Sequence, residues 1–296
     1  MTIYSYLQGG LGNQLFQYAA ARALSERYKV DFALDRSWFD QSLAGVTPRK
    51  YQLDLLNIEK VVFSNHSFPK KPNRLEQFLQ STFSSRPFIC YQPNAFSFDP
   101  ALFNLKNASN RDVYLNGYWQ GFRYTESIRP ILQTEFQLRS RISSQYHHFL
   151  EQISDSASVM LHIRRGDYVE SPSAAQFHGV LSLDYYLNAI QAIQEIQADA
   201  HFFVFSDDLP WAKSSLPPDL PITFVDNSID IDAAAQELQL MRACQHHIIA
   251  NSSLSWWGAW LKSNQNGVVF APNRWINQDN SNLSDLLPPS WHRLPS

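Results

Sequence analysis

Two arginines stand side by side in His162-Ile-Arg-Arg-Gly-Asp167, directly after an apolar, β-branched run, and no other residues in the chain are better suited to hold an anion. A strand ending here alternates its side chains, so Arg164 shares a face with His162 while Arg165 points elsewhere. Adjacent guanidinium groups at the carboxyl end of a strand are costly to desolvate unless an anion or a carboxylate meets them. Arginine's planar fork matches two phosphate oxygens at once. The plainer alternative makes Arg165 a latch onto Asp167 and His162 a core histidine. Phe205-Ser-Asp-Asp208 ends another apolar run. Its paired acids can accept from a nucleobase edge or a ribose hydroxyl, hold Mg²⁺, or cap the helix that follows. Asp230-Ile-Asp232 has the look of a metal string, yet a helix cap at Asp232 explains it better.

Two further segments carry polar groups at predicted helix starts. In Asn251-Ser-Ser-Leu-Ser-Trp-Trp-Gly-Ala-Trp260, the hydroxyls of Ser252 and Ser253 and the first free N–H groups make an anion nest, unless Ser253 is simply a cap. Trp256, Trp257 and Trp260 read as helix-to-sheet packing. Near the N-terminus, Gly9-Gly-Leu-Gly-Asn-Gln14 invites a dinucleotide reading, but the fingerprint needs a third small residue where this chain has Leu15. Asp31 or Asp35 would then be the ribose-binding acid of an oxidoreductase. A plain strand-to-helix turn is the bland reading. Asn13 and Gln14 favour function, since they place two amides where open sheets bind ligands, with Gly10 and Gly12 letting backbone approach closely.

Those segments need a scaffold, and the hydrophobic pattern supplies one. Thr2–Leu7 reads as a strand, Leu11–Tyr28 as a helix and Val30–Leu34 as a second strand. From about Asn57 to Asn110 the pattern decays into Pro-, Phe- and Ser-rich sequence with one short helix near Arg74–Phe83. Strand and helix alternate again from Ser158: strands at Val159–Ile163, His201–Phe205, Ile222–Val225, His247–Ala250 and Gly267–Phe270, and helices at Leu183–Ile196, Asp232–Ala243 and Ser253–Lys262. Strands separated by helices imply parallel sheets. The expectation is an N-terminal Rossmann-like domain over 1–150 and a second over 151–296, the join lying within 141–157 and the C-terminal tail crossing back to the first lobe.

Bulk properties exclude several classes. A chain of 296 residues with 44% hydrophobic and 17% charged residues can bury a sizeable core and is not of the disordered type. A net charge of −3 leaves no global footprint for nucleic acid. No apolar run approaches the roughly 18 residues of a membrane span, and no signal-like start is present. The expected location is the cytoplasm, at most peripheral at the inner membrane surface. Cys90 and Cys244 are too few and too far apart for a disulfide framework or a zinc site, and Cys244 reads as core. Aromatic content is high, at 8 Trp, 13 Tyr and 20 Phe, so a non-enzymatic carbohydrate-binding module stays open as a rival beside the oxidoreductase.

Taken together, Gly9-Gly-Leu-Gly-Asn-Gln-Leu-Phe-Gln-Tyr-Ala19, the HxRRxD element from His162 to Asp167, His178-Gly-Val-Leu-Ser-Leu-Asp-Tyr-Tyr186, Phe205-Ser-Asp-Asp208 and Glu237 through Trp260 resemble the α-1,2-fucosyltransferases of glycosyltransferase family 11. Asn116-Gly-Tyr-Trp-Gln120 is similar to the family too. The resemblance implies an α/β fold of GT-B type, two facing Rossmann-like domains with a cleft between them. It also implies an inverting, metal-independent transfer of fucose from GDP-fucose, the donor substrate, to the 2-hydroxyl of a β-galactoside acceptor oligosaccharide, with no cofactor. Under it Arg164 contacts the β-phosphate, His162 and Asp207 or Asp208 hold the nucleoside, and Ser252 or Ser253 contacts phosphate. The Asn13 loop, with Gly10, Gly12 and Gln14, faces the sugar. Charge building on the leaving GDP then needs fixed donors, which Arg164 and the nest at Asn251–Ser253 provide. For the general base, Asp167, Glu170 and His178 are all candidates, Asp167 being the first choice.

Overall fold

A computed structural model describes residues 1–41, 48–58, 62–63, 88–94, 96–105, 111–166, 176, 179–226, 233–277 and 282–296. The expected helix near Arg74–Phe83 lies outside them, as do Asp167, Glu170, His178, Asp230 and Asp232. The chain divides into two compact units. Met1–Asp54 with Ile58–Glu135 form the first, and Leu55–Asn57 with Phe136–Ser296 form the second.

In the first unit, β1 (Ile3–Tyr6), β2 (Phe32–Asp35), β3 (Val62–Phe63), β4 (Phe88–Tyr91) and β5 (Asp112–Leu115) make one sheet in the order β3-β2-β1-β5-β4. Every pair in it is parallel. Helix α1 (Leu11–Tyr28) crosses from β1 to β2 and is buried almost all round, its Ala19, Ala20, Ala21 and Ala23 being small enough to let it lie close on the sheet. It ends where Lys29 takes the left-handed conformation and returns its N–H to Ser25 O. Helix α2 (Arg129–Glu135) closes the unit. The order reverses beside β1, so the crevice between the carboxyl ends of β1 and β5 is this sheet's switch point.

The second unit holds β6 (Ala157–Ile163), β7 (Ala200–Ser206), β8 (Ile222–Phe224), β9 (His246–Ile248), β10 (Val269–Pro272) and β11 (His292–Leu294), in the order β8-β7-β6-β9-β10-β11. That is the 3-2-1-4-5-6 order of dinucleotide-binding sheets. β6 is buried along nearly its whole length, as a central parallel strand covered on both faces must be. Helix α4 (Leu183–Ile196) begins at a Ser182 cap that accepts from Tyr185 N, and it buries Tyr185, Tyr186, Ala189, Ile190 and Ile193, one stripe at helical spacing. Helices α5 (Leu209–Ser215), α6 (Ala233–Ala243) and α7 (Ser253–Trp260) follow β7, β8 and β9.

In the segment 141–157, where the join was expected, Ser144–Ser154 forms helix α3, which buries Tyr146, Phe149 and Ile153 in the second unit, and Ser143 N donates to Gln236 Oε1 at 3.2 Å. The division between units accordingly falls at Glu135/Phe136, ahead of the expected 150/151. The C-terminal tail, expected to cross back, groups with the second unit. Its residues His292–Leu294 pair in parallel with Phe270–Pro272 and supply an edge strand of the second sheet. The tryptophans behave as packing: Trp256, Trp257 and Trp260 are buried with ring centroids 5.0–5.7 Å apart, and Trp256 Nε1 donates to Leu286 O at 2.9 Å. Cys244 is buried core, as expected.

Candidate functional site

β6 is flanked by β7 and β9, and the register sets which residues lie level beyond the strand ends. Ile163 pairs with Ser206 and Leu161 with Ile248, so Arg164 emerges level with Asp207 on one side and Asn251 on the other. Three of the four polar segments singled out in the sequence therefore meet at the carboxyl ends of β6, β7 and β9. The strand order reverses between β6 and β9, which is where open α/β sheets bind ligands.

Asp207 organises the turn after β6. One carboxylate oxygen accepts the Arg165 backbone N–H at 2.8 Å, and the other faces Arg164 Nη1 at 3.1 Å. Burial raises the Asp207 carboxyl, but the Arg164 guanidinium and the N–H groups of Arg165 and Gly166 outweigh it, and the group titrates below the usual aspartate range. A side chain at Gly166 would sit 3.1 Å from Asp207 Oδ2, so glycine there lets the turn close over the carboxylate. Arg165 is a latch: its Nε faces Asp208 Oδ2 at 3.5 Å and its guanidinium lies 4.1 Å from the Trp211 ring centroid, while the expected partner Asp167 lies outside the described residues. Asp208 also caps α5, accepting from Trp211 N at 3.1 Å. Both acids expected to hold nucleoside are thus engaged with protein groups.

His162 is 5% exposed on β6, and its Nδ1 makes no hydrogen bond among the described residues. Burial, reinforced by the nearby Arg164 and opposed by Asp207, lowers its pKa from 6.5 to about 4, so the ring is neutral near pH 7. The linkage sign follows. Below pH 6.5 the unfolded chain takes up protons that the folded ring does not, so stability falls as pH drops from 6.5 toward 4. The buried His247, held to about 3, acts in the same direction. Urea midpoints are expected to decrease between pH 7 and pH 4.5, and less steeply in His162→Gln; an identical slope in that variant would place the protons elsewhere.

Beyond β9, Asn251 is buried and donates from Nδ2 to Gly179 O and Trp275 O, both at 3.3 Å, so it ties two loops to the strand end. Ser252 is the N-cap residue of α7, yet its hydroxyl makes no capping bond, and Ser253 is the first helical residue. Both serines are partly exposed. An eight-residue helix thus presents its positive end with no capping bond from the Ser252 hydroxyl, beside the turn that carries Arg164.

In the first unit, Gly10 precedes α1 and Gly12 lies in its first turn. Gln14 is fully buried. Its Nε2 donates to Gly9 O at 2.9 Å and Lys50 O at 2.8 Å, and its Oε1 accepts from Gln52 N at 3.0 Å, which makes it an internal strut of the loop. Asn13 is half-buried, and its Oδ1 accepts from Gln120 Nε2 at 2.8 Å. That pairing, across 107 positions, had no sequence signal beyond the Asn116–Gln120 element. Asp35, the proposed ribose acid, is 1% exposed and accepts from Tyr114 Oη and, at 2.9 Å, from Ser37 N, so its carboxylate serves the sheet. Among the described residues, no group of three or more His, Cys, Asp or Glu is placed to hold a metal ion, and no helix is long and apolar enough to cross a membrane.

A doubly wound sheet with an arginine and an uncapped helix at its switch point defines a nucleotide-binding α/β protein. The family model of glycosyl transferase family 11 matches residues 96–294. An O-antigen biosynthesis glycosyltransferase of Escherichia coli, WbnK, is 35% identical, with 99% of this chain and all of that protein covered. An α-1,2-colitosyltransferase of E. coli is 32% identical over 99% of this chain and 98% of its own. The fold is shared with the crystal structure of the fucosyltransferase NodZ from Bradyrhizobium, of GT-B type, at a TM-score of 0.53 and 14% identity, covering 88% of this chain and 93% of that one. The chain belongs to glycosyltransferase family 11 and is a glycosyltransferase. The oxidoreductase and binding-module alternatives are thereby set aside.

Proposed function

We propose that the protein transfers L-fucose from GDP-β-L-fucose, with inversion at C1 and without a metal, to the 2-hydroxyl of a terminal β-galactoside in O-antigen-type glycan synthesis. The observation that carries the donor half is Arg164, held by Asp207 beside the uncapped start of α7. When the bond between C1 and the phosphate oxygen breaks, charge moves onto GDP, and this pair of fixed groups meets it at the β-phosphate. Ser252 and Ser253 add hydroxyl donors, the neutral His162 offers Nδ1 to the donor, and Asn251 and Asp207 hold those groups in place. The acceptor hydroxyl attacks C1 from the opposite face and gives its proton to a base, a role assigned to Asp167. The first unit takes the sugar and acceptor through the Asn13 loop. Transfer at the cytoplasmic face fits an activated sugar nucleotide donor.

A second reading concerns the sugar. One relative of near-full coverage is named for colitose, a fucose lacking its 3-hydroxyl, so GDP-colitose is the rival donor.

Product analysis with both GDP-sugars and a panel of β-galactosides tests these readings. An α-1,2-linked fucosyl product is expected; linkage to another hydroxyl, retained anomeric configuration, or transfer of colitose alone would each overturn its part. Transfer is also expected to survive EDTA, because Arg164 and the α7 terminus take up the leaving-group charge. Activity lost to EDTA and restored only by Mg²⁺ or Mn²⁺ would assign that work to a metal.

A further inference from the structure

Two loops leave the first sheet at its switch point, one after β1 and one after β5, and a side-chain bond joins them: Gln120 Nε2 donates to Asn13 Oδ1 at 2.8 Å. We propose that Gln120 is a positioning residue, which fixes the Asn13 amide so that its Nδ2, and not its oxygen, is presented to the sugar side of the reaction. This rests on the Asn13 loop being the sugar-facing loop.

The surroundings hold both partners firmly. Gly9 has φ +81°, and a side chain there would come within 2.7 Å of Asn13 Nδ2, so the Asn13 amide lies directly over a bare Cα. Gln14 braces the same loop from beneath through Gly9 O, Lys50 O and Gln52 N. On the other side, Trp119, immediately before Gln120, has φ 55° although it is a bulky residue. Such a conformation is unfavourable for a bulky residue and persists only where the surroundings over-determine it. Here they do. The Trp119 ring is 1% exposed and packs edge-on against Tyr124 at 5.6 Å. Gly117 lies so close to Pro93 that a Cβ would fall 2.3 Å from its ring. The left-handed step therefore aims Gln120 at Asn13, and backbone strain sits at the switch-point crevice, where open sheets bind ligands.

The bond also has a polarity. Gln120 donates, so the Asn13 oxygen is committed, while Asn13 Nδ2 makes no hydrogen bond among the described residues. An amide NH₂ held in this way is a donor for a sugar ring or hydroxyl oxygen. Glu in place of Gln120 has the same shape but only accepts at neutral pH, and it would turn the Asn13 amide round.

Gln120→Glu is therefore expected to lower kcat about 10- to 10²-fold, with GDP affinity, read by tryptophan fluorescence, within about twofold of the parent. Gln120→Ala should fall between the two. In an Asn13→Ala background, Gln120→Glu should have no further effect. Turnover near the parent value in Gln120→Glu, or the same loss in both backgrounds, would overturn the assignment; so would a parallel loss of GDP affinity. Turnover is measured with whichever GDP-deoxyhexose the parent enzyme transfers, so a wrong sugar defeats the proposed donor without touching Gln120. Thermal melts of the four proteins need no substrate, and additive shifts there would deny the contact itself.

Discussion

Arg164→Lys is expected to lower turnover by about 10²-fold or more, in line with the loss of a donor that meets charge in the transition state. Lysine keeps the positive charge and much of the length, so the variant isolates the planar fork. Asp207 Oδ2, 3.1 Å from Nη1, sets the geometry, and the nearby His162 ring is neutral near pH 7. A flexible ammonium would remain as a point charge near Asp207 and would not meet two phosphate oxygens together. The loss should fall on kcat and kcat/KM alike, since the bond to the bridging oxygen forms fully only as the leaving group departs. Steady-state rates across donor concentrations measure it, and near-normal turnover would remove the core of the donor-site assignment.

Asp207→Ala should come close to this effect by acting through Arg164 and the turn after β6. The carboxylate holds the turn after β6 at the Arg165 N–H and holds Arg164 by charge. Displacing a reacting-site group by about 1 Å is enough for losses near 10²-fold. Asp207→Asn keeps an oxygen for the Arg165 N–H and should retain more activity than the alanine variant. The comparison separates two roles. If Asp207 instead contacted guanine, its loss would show as weakened preference for GDP over UDP, with turnover at saturation little changed. Competition binding with the two nucleotides decides between them.

These expectations depend on features of unequal visibility in the sequence. The helices Leu11–Tyr28 and Leu183–Ile196 are legible because each has a strong start, Gly10 after a glycine turn and Ser182 as a cap, and a long body. Five strands of the second unit, β6 to β10, stand out as short buried runs, within a residue or two at each end, whereas the edge strand β11 went unread. Strand β5 escaped because four residues, Asp112–Leu115, carry no period, and what makes them a strand is pairing with Ile3–Ser5 at the far end of the unit. Helix α3 had a readable stripe at Tyr146, Phe149 and Ile153, but it fell where the join between lobes was expected.

The site shows the same division. Motif and strand-end position were enough to bring out Arg164, Asp207 and the serines of α7. Partners were not legible. Arg165 meets Asp208 and Trp211 because β6 and β7 are neighbours in register, a fact that residue types do not contain. Gln14 looked like a ligand-facing amide, whereas burial and three backbone bonds make it a strut.

The short segment Leu55–Asn57 limits how this enzyme can be taken apart or recombined. It belongs to the second unit although first-unit sequence lies on both sides of it. Asn57 N donates to Gln137 O at 2.8 Å and Arg139 N to Leu55 O at 2.9 Å, so the opening residues of the second unit find their backbone partners in this insert. No single cut separates the units. A fragment starting at Phe136 would leave those groups to water, and a chimera that exchanged the first unit between relatives would need two junctions more than a tandem pair of domains requires. Modular exchange within such a chain is constrained by three residues.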